Sequence, residues 1–170
     1  QDKRLSEKQK LISTLPAAIK EAVAEDEFIK AGELYRRFRS AGGAVDGLDT
    51  NTLVKFFTAY PRELRNICSG ISRFPAPKIL EIVKAFFKEG RPDAGLKLIT
   101  NDVLLKFAAL DAAADEIIRF FVEADQISAF MERIQTRPHT IMPFIIKGVF
   151  KLNMNKELVE IFFHSKLSAF

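Results

Sequence analysis

Apolar residues recur along this chain at intervals of three and four residues. One stretch shows the pattern clearly, with apolar residues at Phe28, Ala31, Leu34, Tyr35 and Phe38. This spacing places the five side chains on one face of an α-helix. Strands would require sustained alternation of apolar and polar residues or hairpin turns between β-branched runs, and the sequence has neither. We therefore expect an all-α protein.

Prolines, glycines and capping residues divide the helical pattern into short elements. Thr14 followed by Pro16 predicts the start of a helix, with Thr14 as its N-cap. Gly90 predicts a helix end, and Pro92 predicts the start of the next helix. Residues 1–14 are charged, and we expect them to form an N-terminal arm or a first helix.

Polar residues that favour helix N-termini mark the starts of further helices. The expected N-caps are Asp49 or Thr50, Asn101 or Asp102, Asp111, and Asp125. The pattern predicts about eleven helices with short connections, the last over residues 155–166. Short connections place successive helices antiparallel and adjacent. No change of composition marks a second domain, so residues 15–170 are expected to form a single helical-repeat domain.

The sequence also contains an internal repeat. Residues 84–99 align without gaps to residues 147–162, and the same offset backwards matches Ala94-Gly95 to Ala31-Gly32. Half of the spacing between the aligned copies is about 30 residues, which is the length of one helix pair. We predict an α-solenoid of about five antiparallel pairs, against the alternative of a globular helical bundle. Because a capped solenoid ends on a polar face, the apolar end Leu167 to Phe170 leads us to expect a longer array.

Three segments resemble the pentatricopeptide repeat family. Asn51-Thr52-Leu53-Val54 resembles the start of that family's first helix. Lys88 to Ala94 resembles its turn and second helix, and Ala31 to Phe38 followed by Gly42 resembles the second helix and its exit. The resemblance covers most of residues 15–166 in partial copies. Tetratricopeptide repeats are the nearest competitor, but their Trp and Tyr signature is not seen.

The resemblance implies binding of single-stranded RNA in mitochondria or chloroplasts, with one base read per repeat. In this family a polar residue near the start of the first helix reads the base. Asn51 and Asp102 match that position, whereas Ala17, Leu80 and Pro143 occupy it elsewhere and offer no polar side chain. The resemblance thus implies a degenerate, non-catalytic member. Such a protein holds single-stranded or ribosomal RNA, protein neighbours, or both, as a subunit of an organellar ribonucleoprotein complex.

The net charge of +4 permits an anionic partner without requiring one. Basic residues recur in successive predicted helices, and stacked repeats can align them into a stripe that holds a phosphate backbone. The candidates are Lys30, Arg36, Arg37, Lys55, Arg62, Arg65, Lys84, Lys88, Arg91, Lys147 and Lys151, with Arg39, Arg73 and Lys97 on the same predicted helix pairs. The alternative is a set of ordinary solvated helix faces.

Catalytic, metal and cofactor chemistry is not expected. His139 and His164 are the only histidines, and neither has a Cys or His at metal-ligand spacing in the sequence. The single cysteine, Cys68, lies in an apolar setting and is expected to be a buried thiol. The sequence contains no run of 18 apolar residues, so we expect no insertion into a membrane. The alternative function is a tetratricopeptide-like protein-interaction scaffold with no direct RNA contact.

The 16 phenylalanines are too many to lie on a soluble surface, so most are expected in the core. Pairs of adjacent phenylalanines recur at comparable positions of the predicted helices. The pairs are Phe56-Phe57, Phe86-Phe87, Phe120-Phe121 and Phe162-Phe163. We predict that they pack between helices and do not stack on bases.

Overall fold

A computed structural model describes residues 2–134, 138–153 and 156 of the chain. Within these ranges every regular element is helical and no strand occurs, so the predicted all-α class is confirmed. The α-helices are α1 (Asp2–Ala24), α2 (Phe28–Ser40), α3 (Thr50–Ala59), α4 (Pro61–Cys68), α5 (Ala76–Lys88), α6 (Pro92–Lys97), α7 (Asn101–Leu110), α8 (Ala114–Glu123), α9 (Ile127–Ile134) and α10 (Pro138–Leu152). Two short 3₁₀ helices cover Val45–Gly47 and Ile71–Arg73. The helix predicted over 155–166 and the pair Phe162-Phe163 lie outside the described residues.

Helix α1 is continuous through the point where a helix start was predicted. Thr14 lies inside it, and its hydroxyl donates to the carbonyl of Lys10 at 2.7 Å instead of accepting from a backbone N–H. The predicted N-cap at Thr14 is therefore wrong. Pro16 removes one backbone hydrogen bond, yet Leu15 and Ile19 on either side of it are buried in the core. Tertiary packing thus holds the helix together across the proline.

Five helices follow one another as neighbours in space. Helix α1 contacts α3, α3 contacts α5, and α8 contacts α10. Helices α5 and α8 are joined by an ion pair between Lys84 and Glu116 at 2.5 Å and by the rings of Phe87 and Phe120, whose centroids lie 4.9 Å apart. We call α1, α3, α5, α8 and α10 the row helices. Helices α2, α4, α6 and α9 each contact the row helix that precedes them in the chain.

A single core of buried side chains runs along these helices from Leu15 to Val149. Five phenylalanines of the predicted pairs are buried: Phe56, Phe57, Phe86, Phe120 and Phe121. Phe87 is half-buried against Phe120. The prediction that these side chains belong to the core is confirmed for the three described pairs.

The turn after a row helix repeats the same backbone conformation. Gly90 and Asn153, which the sequence repeat aligns, have φ angles of +71° and +55°. Asp26 after α1 and Asp125 after α8 are also left-handed, with φ angles of +58° and +53°. Such a residue ends a helix by letting the next amides bond back to its last turn. The amide of Arg91, for example, donates to the carbonyl of Phe86 at 2.8 Å.

One of the predicted N-caps is confirmed and the others are wrong. Asp49 caps α3 as predicted, accepting from the amide of Thr52 at 3.1 Å. Helix α7 is capped by Thr100, so the prediction of Asn101 or Asp102 as its N-cap is wrong by one or two residues. Asp111 is left-handed and ends α7, so its prediction as the cap of the next helix is wrong. Asp125 has the same role after α8, so its prediction as an N-cap is wrong for the same reason.

Candidate nucleic-acid interface

Three predicted lysines on the row helices are paired with acids of a neighbouring element. Lys84 on α5 pairs with Glu116 on α8. Lys151 on α10 pairs with Asp115 at 3.1 Å, and Lys147 pairs with Asp111. These pairs are largely exposed and contribute little stability. However, each carboxylate cancels a positive charge, which weakens the attraction of that lysine for phosphate.

Two more of the predicted residues are paired locally. Lys30 pairs with Glu27 at 2.6 Å, and this hydrogen bond raises the pKa of Lys30. Arg91 holds Asp93 at 3.2 Å, and its guanidinium lowers the pKa of that carboxyl below the usual range. Five of the eleven candidate basic residues are therefore already neutralised by an acid.

The other six form no ion pair with any described acid, and all six are exposed. They are Arg36, Arg37, Lys55, Arg62, Arg65 and Lys88. Four of them lie on α2 and α4. Among the candidate residues, the unneutralised positive charge is therefore concentrated on α2 and α4, with Lys55 on α3 and Lys88 on α5 as the other two members, whereas the sequence predicted a stripe along the whole array.

A cleft of about 550 Å³ lies between α2, α4 and the two 3₁₀ helices. Arg36 and Arg39 reach it from α2, and Arg73 reaches it from the second 3₁₀ helix. Asp46 and Glu63 also line it, but neither is ion-paired within the described residues. We call this cleft, with its three arginines, the arginine groove.

The floor of the arginine groove is apolar. Tyr35, Val45 and Ile67 line it and are buried, and half-buried Phe74 stands at its side. Burial raises the pKa of Tyr35 to about 12; Glu63 adds to the shift, whereas Arg39 opposes it. Tyr35 therefore stays neutral near pH 7. Because the wall is apolar and three arginines outnumber the two carboxylates of the lining, the groove can hold an anionic chain that also carries flat apolar groups.

The glycines that end α2 shape one side of this groove. Gly42 is left-handed, with φ +96°, and the amide of Gly43 donates to the carbonyl of Phe38 at 2.9 Å. A side chain on Gly43 would overlap the ring of Phe38, so only glycine fits there. The carbonyl of Gly43 accepts from Arg39 Nη1 at 2.6 Å, which fixes that guanidinium at the rim.

Neither predicted base-reading residue lines the arginine groove. Asn51 is exposed in the first turn of α3, and Asp102 is exposed in the first turn of α7. Helix α3 is a row helix, whereas α7 contacts α10 and the 3₁₀ helix Ile71–Arg73. The structure therefore places the two residues on elements with different surroundings.

Two predicted residues line a smaller cleft of about 310 Å³, where Lys55 and Arg91 meet Asp26 and Glu89. Its charges are balanced, so it offers no net attraction for an anion. Sequence reasoning did not single out Tyr35, Asp46 or Glu63 as groove residues. For Tyr35 the available signal was its position between buried Ala31 and Phe38 on a helix that also carries Arg36 and Arg39.

No described helix has the length and apolar character needed to cross a membrane. Within the described ranges, no group of three or more His, Cys, Asp or Glu side chains is arranged to hold a metal ion. Cys68, predicted to be buried, is half-buried. Burial raises the pKa of its thiol, against the opposing charges of Lys97 and Arg133.

Comparison with the models of known protein families, with curated protein sequences and with solved structures finds no match to this chain. The likeness to pentatricopeptide repeats therefore rests on the three segments quoted from the sequence. Function has to be argued from the surface chemistry of α2 and α4.

Proposed function

We propose that this chain is a non-catalytic α-solenoid of about five antiparallel helix pairs that holds an RNA backbone on the face formed by α2 and α4. It would serve as a subunit of an organellar ribonucleoprotein complex, such as a ribosome or an RNA-processing or editing complex. The mitochondrial or other organellar location and the complex rest on the family resemblance. The RNA is single-stranded or ribosomal, and other subunits of the complex are expected as further partners.

Two observations support the solenoid part of the proposal. The row helices contact one another in chain order, and each of α2, α4, α6 and α9 contacts the row helix before it. In addition, the left-handed turn recurs after four of the five row helices, at Asp26, Gly90, Asp125 and Asn153. A repeated turn and a row of nearest-neighbour contacts are what stacked two-helix units produce.

The arginine groove is the observation that carries the RNA part. It combines Arg36, Arg39 and Arg73, none of them ion-paired within the described residues, with an apolar floor. Arg37, Arg62 and Arg65 on the same two helices add exposed positive charge. Guanidinium groups bind phosphate oxygens in pairs, and flat apolar walls accept bases regardless of their identity. This chemistry favours binding that depends on phosphate and not on sequence.

Sequence-independent binding also agrees with the residues at the family's base-reading position. Only Asn51 and Asp102 are polar there, and the structure does not bring either to the groove. We therefore place phosphate contacts on α2 and α4 and assign no base code to the row helices.

The test is binding of fluorescent single-stranded RNA homopolymers and random RNA across a salt series. We expect affinity that falls steeply with salt and differs little among sequences. The double variant Arg36→Gln/Arg73→Gln removes two groove charges, so it should weaken binding about tenfold and reduce the log–log salt slope by about 1.4.

The matched control is the double variant Lys147→Gln/Lys151→Gln. It changes the net charge by the same amount but removes lysines that are already paired with Asp111 and Asp115. It should bind RNA much as the wild type does. Equal losses in the two variants would mean that net charge alone drives binding, and the arginine groove would lose its assigned role.

The second candidate is a protein-interaction scaffold that makes no RNA contact. The observation that favours it is also in the groove, where buried Tyr35, Val45 and Ile67 lie beside the carboxylates of Asp46 and Glu63. An amphipathic peptide helix fits such a surface if its basic residues face the two carboxylates and its acidic residues face the arginines. If the wild-type chain binds no RNA at low salt, the RNA proposal fails and the scaffold becomes the leading function.

A further inference from the structure

A second cleft, of about 330 Å³, lies between α6, α8 and α9. Its floor includes Phe121, which is fully buried, and its polar side chains are Asp93, Lys97, Gln126 and Arg133. It shares no lining residue with the arginine groove. We call it the Arg133 cleft.

Arg133 is in an unusual situation. Its Nη1 atom is buried and has no hydrogen-bond partner among the described residues, although a guanidinium nitrogen is a strong donor. The guanidinium carbon lies 5.2 Å from the centroid of the Phe121 ring, so the ring face offsets part of the charge. Burial lowers the pKa of Arg133, but the group still stays charged at any ordinary pH. A buried donor on a charged group without an acceptor costs free energy.

The acids around the cleft do not supply that acceptor. Both carboxylate oxygens of Asp93 are held by Arg91, at 3.2 and 3.3 Å. Glu132 adjoins Arg133 in the chain but forms no ion pair with it. Lys97 is exposed at the cleft and likewise has no acid partner within the described residues. The cleft therefore presents two cations that no described acid neutralises.

We propose that the Arg133 cleft is a binding site for an oxyanion, namely the phosphate or carboxylate group of a small ligand. The planar guanidinium of Arg133 would donate two parallel hydrogen bonds to two oxygens of the anion, a geometry that both groups allow. Lys97 would add a point charge from α6, and the amide of Gln126 would donate a hydrogen bond. The Phe121 ring holds the guanidinium in orientation before the anion arrives.

The test measures the melting temperature of the full chain in inorganic phosphate and, separately, in acetate, with chloride used to keep the ionic strength constant. At ten times the dissociation constant, the favoured anion should raise Tm by about 3–6 °C. The anion that produces the shift identifies the ligand group. Isothermal titration calorimetry with the same anion should give one site per chain.

Arg133→Met keeps most of the side-chain volume and removes the charge. We expect it to abolish the anion-dependent shift without lowering Tm in chloride, because the uncompensated buried charge is gone. Lys97 lies on the surface, so Lys97→Gln should fold normally and lower the affinity for the anion at least threefold. This variant therefore tests the site even if Arg133→Met fails to fold. The control Lys88→Gln removes an exposed lysine elsewhere and should leave the shift intact.

The proposal is overturned if neither anion raises the wild-type Tm beyond chloride, or if Lys97→Gln and Arg133→Met both retain the full shift. The groove variant Arg36→Gln/Arg73→Gln should keep the anion shift, since the two clefts share no residues. Loss of RNA binding in that variant and loss of the anion shift in Arg133→Met are thus separate results.

Discussion

Left-handed backbone occurs at five non-glycine residues of the described chain. Four of them are Asp or Asn, which tolerate this conformation because a short polar side chain can bond locally. The fifth is Ala113, with φ +58°, at the start of α8. Alanine has no such compensation, so this position carries conformational strain of about 1 kcal/mol.

We predict that Ala113→Gly raises the free energy of unfolding by about 1 kcal/mol, because glycine adopts positive φ without a Cβ clash. The matching rise in Tm is about 2–4 °C, measured by calorimetry. Ala124→Gly is the control, because Ala124 is also half-buried at a helix end but has φ −87°. It should lower Tm slightly, since glycine there only adds unfolded-state freedom. A lower Tm for Ala113→Gly would show that Ala113 is not conformationally strained.

At this scale, sequence reasoning fails where one residue has two plausible roles. Asp111 and Asp125 were predicted to begin helices, because aspartate is a favoured N-cap. Both instead end the preceding helix in the left-handed conformation, which aspartate also tolerates. Adjacent helices with a short turn place both roles within two residues, and composition does not separate them. Asp49 was predicted correctly because a longer stretch without α-helix separates it from the end of α2.

Helices α8 and α10 approach each other closely at Gly148 of α10 and Ala114 of α8. A Cβ built on Gly148 would lie 2.7 Å from the backbone carbon of Ala114. The backbone there would have to move, since the obstacle is not a flexible side chain. Lys147 and Lys151, which flank Gly148, pair with Asp111 and Asp115 on the other side of this contact. The glycine therefore sets the distance between the two row helices.

We predict that Gly148→Ala destabilises the protein by about 1–3 kcal/mol, even though alanine favours helix more than glycine does. Urea denaturation followed by circular dichroism measures this directly. The control is Gly47→Ala, at a position where a Cβ meets nothing within 4 Å and φ is not positive. That variant should be neutral within about 0.5 kcal/mol. If Gly148→Ala were as stable as the wild type, the close contact of α8 and α10 would be incorrect.

The existence of the helices was largely predictable: the apolar stripe from Phe28 to Phe38 lies within α2, and the predicted N-cap Asp49 begins α3. The helix boundaries were less predictable, and α1 is an example. Thr14 and Pro16 carry the local signal of a helix start, but the burial of Leu15, Ile19 and Val23 keeps one helix continuous across them. That burial depends on the packing of α2 and α3 against α1, which the residues around Thr14 and Pro16 do not reveal.

Over the molecule as a whole, the sequence reports how many charges exist but not which ones are paired. Lys84 pairs with Glu116, Lys147 with Asp111 and Lys151 with Asp115, all across more than 30 positions of the chain. Whether such partners meet depends on which helices become neighbours and in what register. The same stacking leaves Arg36 and Arg62 unpaired on α2 and α4. The eleven candidate basic residues thus divide into five that are paired with acids and six that are not, and four of those six lie on α2 and α4.

The proposed solenoid has a measurable consequence for overall dimensions. A compact domain of 170 residues has a radius of gyration of about 15.5 Å. Five row helices stacked at about 9–10 Å extend over about 50 Å, which raises the radius of gyration to about 17 Å or more. Small-angle X-ray scattering distinguishes these values, provided that light scattering confirms a monomer, because dimerisation also increases the radius. A monomer near 15.5 Å would favour the globular bundle and would remove the extended RNA-binding face, while leaving the Arg133 cleft and its anion test unaffected.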